Sequence, residues 1–346
     1  LNPLPITTAD GAPLVSAGGD TVFGDGLLKN ITQTTNTTLD PMYQDEWILG
    51  ANHDFGNGWN VGLRYVHRSI GVLIEDVAID HVVIPWADAN GLDSSAYTGF
   101  HQYVLTNPGS DMTITTAGIL DSLGRPADQE LTFTAEELNY PKGNRTYDAV
   151  NFTFEREWDG VWSLQGSYTW SRSKGNTEGT VKSDNGQDDA GLTTDFDQPG
   201  LTDGAYGFLP NHRTHRFKVW GSYQVTDWMN VGALLNVESP RKLGCIGEHI
   251  SDYFAWAYGA NSWFCGGVST PRGSQMNTDW TKTLDLSINL TPAISNEMPG
   301  ELSFRVDVFN VFNSAAVADR WEYGDQGFSG YNAYGLYTNQ PQYVGP

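Results

Sequence analysis

The sequence predicts an all-β protein: part of an antiparallel transmembrane β-barrel, about eight long strands in four hairpins with short periplasmic turns and long extracellular loops. Three observations predict it. Polar and apolar residues alternate at period two over stretches of roughly 10–13 positions, where strands of soluble sandwiches run about 5–6. The stretches come in pairs joined by a few residues, with tens of residues between pairs. Charges on the apolar face fall only near strand ends, where Trp and Tyr also gather.

The first pair, residues 46–55 and 59–68, flanks Gly56-Asn57-Gly58. On its return strand Trp59, Val61, Leu63 and Tyr65 alternate with Asn60, Gly62 and Arg64. The glycine run lacks the spacing and the following helix of a nucleotide loop, so it reads as a hairpin turn. The second pair spans residues 147–172. Val150, Phe152, Phe154 and Trp158 oppose Asn151, Thr153, Glu155 and Glu157, and the chain turns at Asp159-Gly160. The third pair, 214–225 and 228–238, turns at Thr226-Asp227. The fourth, 279–290 and 301–312, sets Leu284, Leu286 and Ile288 against Thr283, Asp285 and Ser287. The connections 72–146, 173–213 and 239–278 are rich in Gly, Asn, Asp and Pro and show no sustained periodicity, so they read as outer loops.

Composition agrees. Aromatics make up 12% and charged residues only 17%, and mean hydropathy is −0.39, as expected of half-polar strands. No apolar run approaches the about 20 residues of a spanning helix, which excludes a helical membrane protein. A net charge of −22 argues against nucleic acid as a partner. The chain opens Leu1-Asn2-Pro3-Leu4 without a signal pattern, so a mature segment or an internal fragment is expected.

The alternation assigns faces. Arg64, Arg68, Glu155, Glu157, Arg216, Lys218, Asp285, Arg305 and Asp307 point to the lumen, either as a polar pathway and plug contact or as cross-strand pairs that stiffen the wall. Trp59, Trp158, Trp162 and Trp228 form an aromatic belt by the short turns. Trp47, Tyr168, Trp170 and Trp280 form a second belt at the far ends. The exceptions on the apolar face, His53, Arg156, His215 and Lys282, lie near strand ends, where a charge facing lipid costs about 0–1 kcal/mol rather than the about 2–4 of the midplane.

Candidate sites are few. Asp184, Asp188, Asp189, Asp195 and Asp197 make an acidic loop. It reads either as a weak divalent-cation site or as a solvated surface run, and the surface run is the commoner case. His212 and His215 fall on opposite faces if strand begins at Thr214, which disfavours a shared metal. Cys245 and Cys265 lie in one loop, either bridged or as two free thiols. No nucleophile elbow, zinc-protease or C-x-x-C pattern is present, so no catalytic residue and no cofactor are expected.

Several stretches carry a family likeness: PMYQDEWILG (41–50), RSIGVLIEDV (68–77), YDAVNFTFEREW (147–158), SYTWSRSKGNTEG (167–179), SDNGQDDAG (183–191), YGFLPNHRTHRFKVWGSY (206–223) and FRVDVFNVFN (304–313). With them the chain resembles the C-terminal barrel portion of Oar-like TonB-dependent outer-membrane receptors over nearly its whole length. The resemblance implies a bacterial outer-membrane barrel of about 22 strands with an N-terminal plug. It implies an unidentified extracellular ligand, outer-membrane lipid and lipopolysaccharide around the wall, and a TonB-type energy-coupling complex acting through an N-terminal region. Residues 1–346 contain no plug and no TonB box, and the family's terminal aromatic strand looks cut off at Tyr343-Val344-Gly345-Pro346. The function expected is energised solute uptake. The alternatives are a structural or adhesive surface protein on the same barrel and, more weakly, a soluble carbohydrate-binding domain.

Overall fold

The computed structural model describes residues 30–97, 101–187, 190–292 and 302–324. Eight strands form the wall: β1 (Tyr43–Gly56), β2 (Trp59–Val72), β3 (Arg145–Arg156), β4 (Trp162–Gly175), β5 (His215–Thr226), β6 (Met229–Glu238), β7 (Thr281–Leu290) and β8 (Phe304–Val308). Each pairs antiparallel with its sequence neighbours. Among the described residues β1 and β8 are the two ends of the meander, so the wall is not closed.

The register converts alternation into two faces. Val61, Phe154, Gly166, Val219, Leu235 and Leu284 lie in one row across six strands. The next row is Gly62, Thr153, Ser167, Lys218, Asn236 and Thr283. Because side chains alternate at period two, a slip of one residue would turn the apolar rows to the wrong side. The polar face is not uniformly polar. Trp220 pairs with Leu234, and Val66 with Ala149, on that same face.

Turn chemistry sets the short connections. Gly56, Asn57 and Gly58 all have positive φ (74°, 52° and 77°), which glycine and asparagine tolerate best. At the next turn Asp159 Oδ1 accepts the N–H groups of Val161 and Trp162. β8 takes up only five residues, Phe304–Val308, of the expected 301–312 stretch. Asn310 and Asn313 take left-handed conformations (φ 49° and 48°) there, and Asp285 Oδ1 accepts the Asn310 N–H.

The long connections do not wander. Residues 73–97 and 101–144 fold around an apolar core, in which Val77, Val83, Met112, Ile114 and Ile119 are fully buried. They form a helix (Asp80–Ala89), a hairpin of Glu75–Ala78 with Tyr103–Thr106, and a second of Met112–Thr115 with Glu130–Phe133. Four-residue strands are too short for period two to stand out, so this order was invisible as periodicity. Residues 30–40 lie along the same unit through buried Asn36, whose amide donates to Thr106 Oγ1 (3.1 Å) and the Asp111 carbonyl (3.1 Å).

The two faces predict unequal tolerance. Leu286 lies mid-strand between Ala233 and Val308 on the apolar face, and Ser222 between Ser163 and Gly232 on the polar one. Leu286→Arg is expected to destabilise the inserted wall by about 2–4 kcal/mol, and Ser222→Arg by distinctly less. Urea titration in phospholipid vesicles, read by heat-modifiable electrophoretic mobility, measures both.

Candidate functional site in the outer loop cap

The loops leaving one end of the wall pack together into a cap, and the segment 193–197 is its spine. Thr193 gives its N–H and hydroxyl to Glu75 (3.0 and 2.9 Å). Phe196 enters the apolar core of residues 73–144. The Asp197 carbonyl accepts the Ala78 N–H at 3.0 Å. Asp195 faces the other way, into a buried cluster of charges.

In that cluster Lys182 Nζ meets Asp195 Oδ1 at 2.7 Å, and Arg272 Nη2 meets Asp184 at 2.7 Å and Asp195 at 3.0 Å. All four side chains are at most 2% exposed. Trp263 lies beneath both cations, with Lys182 Nζ 5.4 Å and the Arg272 guanidinium 4.7 Å from its ring centre. The backbone must come close for this. A Cβ at Gly207 would overlap the Arg272 carbonyl oxygen, so only glycine fits.

Burial drives Asp195 upward, but Arg272 and Lys182 outweigh it and hold its carboxyl below the usual range. Burial likewise works against the Arg272 charge, and Asp184, Asp195 and Glu178 overcome it. For other carboxyls in the cap burial prevails. Burial pushes Glu75 up to about 8 against its Thr193 hydrogen bonds. Burial, with Asp76 adding, lifts Asp197 to about 7. Burial, with Asp184 adding in each case, lifts Glu178 to about 7 and Glu322 to about 8.

The third loop carries the disulfide Cys245–Cys265, with Cα atoms 5.9 Å apart. The chain beyond β8 docks on this stapled loop. Ile246 N–H donates to the Glu322 carbonyl (2.8 Å), and Gly324 N–H to the Ile246 carbonyl (2.9 Å). A Cβ at Gly324 would collide with both sulfurs.

The acidic-loop residues therefore have separate fates. Asp184 and Asp195 are held by cations of this chain, the Asp197 carboxyl is buried against Tyr258, and Asp188 and Asp189 fall outside the described residues. His212 is buried between the Ser173 N–H and the Thr214 hydroxyl, and burial lowers it to about 4. His215 instead stacks between Tyr168 (6.1 Å) and Trp280 (6.3 Å). Among the described residues no group of three or more His, Cys, Asp or Glu is placed to hold a metal ion.

The polar residues expected to face the lumen are spread along the wall rather than gathered. Arg68 pairs with Glu46, Arg305 with Asp307 (2.9 Å), and Glu155 accepts from Gln165 (3.2 Å). Arg216 reaches the Asn211 carbonyl (3.5 Å), and Lys218 lies over Trp220 (5.6 Å). Arg64 stands opposite Gly50 and Asn151, Asp285 opposite Leu234, and Glu157 follows the end of β3. The small residues Gly62, Thr153 and Ser167 leave a shallow 430 Å³ depression edged by Glu155, Gln165 and Trp220. Of the aromatics, Trp59 and Trp162 meet edge-on (6.0 Å) by the short turns, with Trp158 and Trp228 exposed beside them. At the loop end Trp47 pairs with His67, and Trp170 with His215.

Lys182, Trp263, Arg272, Glu178 and Glu322 were not singled out by sequence. The usable signal was scarcity. With 19 Lys and Arg against 41 Asp and Glu, a cation inside an acidic loop invites the question of its partner.

Two outcomes follow for the cap. Arg272→Ala leaves Asp184 and Asp195 buried with one cation between them, and is expected to cost about 3–5 kcal/mol. Limited proteolysis at 176–214 measures it while the wall remains folded. The raised carboxyls bind protons in the folded cap that the unfolded chain releases. Stability should therefore fall as pH rises from the ordinary carboxylate range through about 8. Hydrogen exchange of residues 193–197 at pH 5.5 and pH 8.5 tests this, with faster exchange expected at pH 8.5 after correction for intrinsic rates.

The model of a family described as "Outer membrane beta barrel domain" matches residues 2–238, more than half of the chain. The TonB-dependent transporter Oar of Myxococcus xanthus is 29% identical over 289 residues, covering 81% of this chain and 22% of its own length. This chain thus spans about a fifth of that relative. Among solved structures, the outer membrane transporter YddB from Escherichia coli aligns with a TM-score of 0.43 at 13% identity, over 87% of this chain and 32% of its own. The siderophore receptor PiuA from Acinetobacter baumannii aligns with a TM-score of 0.43 at 12% identity, over 88% and 30%. Long antiparallel strands, two faces in register and the match over residues 2–238 lead to one conclusion: the chain belongs to the outer membrane beta barrel domain family and is a bacterial outer-membrane protein.

Proposed function

We propose that this chain supplies the wall and the ligand-capturing outer cap of a TonB-dependent receptor that imports an extracellular solute. The likeness to the TonB-dependent transporter Oar over 81% of this chain is the observation that carries the reading. The cap adds physical support. Its loops are fixed to one another by a shared core and a buried ion cluster, and one of them is stapled internally by a disulfide, so recognition groups at its surface are held in place before a ligand arrives. The chemistry is binding and release, with no catalytic group required. Energy would come from a TonB-type complex acting on a plug outside this segment. Lipid would contact the apolar face between the aromatic belts, and lipopolysaccharide its outer rim.

A deletion strain tests the reading. Uptake of labelled peptides, glycans and metal chelates is compared in wild-type, deletion and TonB-deficient cells. At least one class is expected to lose energy-dependent uptake in both mutants. Unchanged uptake of every class, together with lost surface adhesion, would overturn the receptor reading in favour of an adhesive role.

A further inference from the structure

The outward row of β4 does not end in apolar residues. Trp162, Leu164, Gly166, Tyr168 and Trp170 are followed on the same face by Arg172 and Lys174. Trp170 stands with His215 and Trp280 at the loop end of the wall, so the two cations lie just beyond the level of that aromatic belt. Arg172 is exposed and Lys174 half-buried. Lys242, from the chain after β6, is a third cation in the same quarter. His212 connects the three. It stacks on Phe208 (4.5 Å), whose ring lies under Lys174 Nζ (4.3 Å), and its Nδ1 accepts the Ser173 N–H between Arg172 and Lys174. Burial first, and then Lys242, Lys174 and Arg172 as like charges, keep it neutral down to about 4.

Among the described residues none of these three cations forms an ion pair. Lys242 donates to Asn277 Oδ1 (2.8 Å), a neutral acceptor. Asp148 stands opposite Arg172 in register, but its Oδ1 is taken by the Tyr65 hydroxyl (2.8 Å) and His67 Nδ1 (2.8 Å). Nearby arginines behave differently: Arg213 pairs with Glu238 (3.2 Å), Arg241 with Asp319 (3.5 Å), and Arg272 with Asp184 and Asp195. With 41 Asp and Glu against 19 Lys and Arg, carboxylates are plentiful in this chain, yet none is brought to this quarter of the rim to match its cations. A single cation at a membrane rim simply extends to water. Cations at two successive outward positions, with a third beside them, instead raise a local positive field that an anion at the same depth would relieve.

We infer that Arg172, Lys174 and Lys242 hold a phosphate of lipid A, the membrane-embedded part of lipopolysaccharide in the outer leaflet. The assignment deepens the proposed function, on whose orientation of the wall it rests, and does not depend on import. Position selects the lipid. The cations cap an apolar row that would lie along acyl chains, with Trp170 and Tyr168 directly beneath them, so one molecule can satisfy both. A free phosphate ion would use the charges and leave that row without a partner. Arg172 offers a planar fork of N–H donors to a phosphate, and Lys174 and Lys242 add point charges. The contact is direct, with no divalent ion needed between protein and lipid.

The test uses the full-length receptor in detergent micelles, stripped of endogenous lipid. Native mass spectrometry counts bound lipid during titration with bis-phosphorylated lipid A, with its dephosphorylated form, and with phosphatidylglycerol. Lipid A is expected to bind at least ~10-fold more tightly than the dephosphorylated form, and to stay bound in excess EDTA. The double variant Arg172→Gln with Lys174→Gln should lose ~10-fold, and Lys242→Gln several-fold. Arg64→Gln with Lys218→Gln removes the same charge from the polar face of the wall, and should leave lipid A affinity unchanged. Heat-modifiable mobility checks that each variant is folded. Equal affinity for the two forms of lipid A, full affinity in the folded Arg172 and Lys174 variant, or an equal loss in the polar-face variant would each overturn the inference. So would release of lipid A by EDTA, displacement by inorganic phosphate, or equally tight phosphatidylglycerol, which point to a metal bridge, a free-phosphate site and unselective attraction. Absent energy-dependent uptake with lipid A binding intact sinks the receptor reading alone. Intact uptake without phosphate-dependent lipid A binding sinks this inference alone.

Discussion

A backbone in hydrocarbon has no water to satisfy its N–H and C=O groups, and the rest of this architecture depends on that constraint. Each wall strand must pair along its length with both neighbours. An antiparallel meander achieves this with the shortest connections, and glycine and asparagine at positive φ close the first turn within three residues. The constraint is asymmetric in its consequence. Three of the four connections at one end of the wall are tight turns, so most of the surplus chain emerges at the other end, where water removes the restriction. That surplus is free to fold, and it does.

How it folds differs from a soluble domain of similar size. Residues 73–144 use an ordinary apolar core. A main contact between this unit and the remaining loops passes through residues 193–197, whose side chains serve two unlike environments. Phe196 joins the apolar core, and Asp195 joins the charges. Burying charges stabilises less than burying hydrophobes would, because desolvation offsets much of the attraction. It is far more selective about geometry. Arg272 can satisfy Asp184 and Asp195 together only when two loops stand in one relation, with glycine at 207 allowing the approach. In a cap assembled from long excursions, that selectivity fixes how the loops sit relative to one another.

Legibility in the sequence follows the same division. The wall was readable because the bilayer imposes one rule on every strand, and period two over ten or more residues is a strong signal. The strand Arg145–Arg156 and its return Trp162–Gly175 fall where the alternation placed them. The apolar residues Trp220 and Leu234 on the polar face were passed over, since alternation weighs the majority of a strand and not its exceptions. The cap was not readable. Its strands are four residues long, and its decisive contacts join positions far apart, such as Asp184 with Arg272 and Glu75 with Thr193. Local pattern carries no information about such pairs. Asp184 and Asp195 were conspicuous as acidic residues, but their partners were ordinary-looking cations in other segments.

The charge of the whole chain takes on meaning in this light. A net charge of −22 suggests a surface crowded with solvated carboxylates, yet several acids are buried in the cap. Asp184 and Asp195 are matched by cations, while Glu75, Asp197, Glu178 and Glu322 are shifted toward the protonated form. Such a cap is poised near neutrality: small changes in local positive charge decide whether those groups carry protons. The order of the cap therefore depends on the acidity of the medium through groups buried inside it.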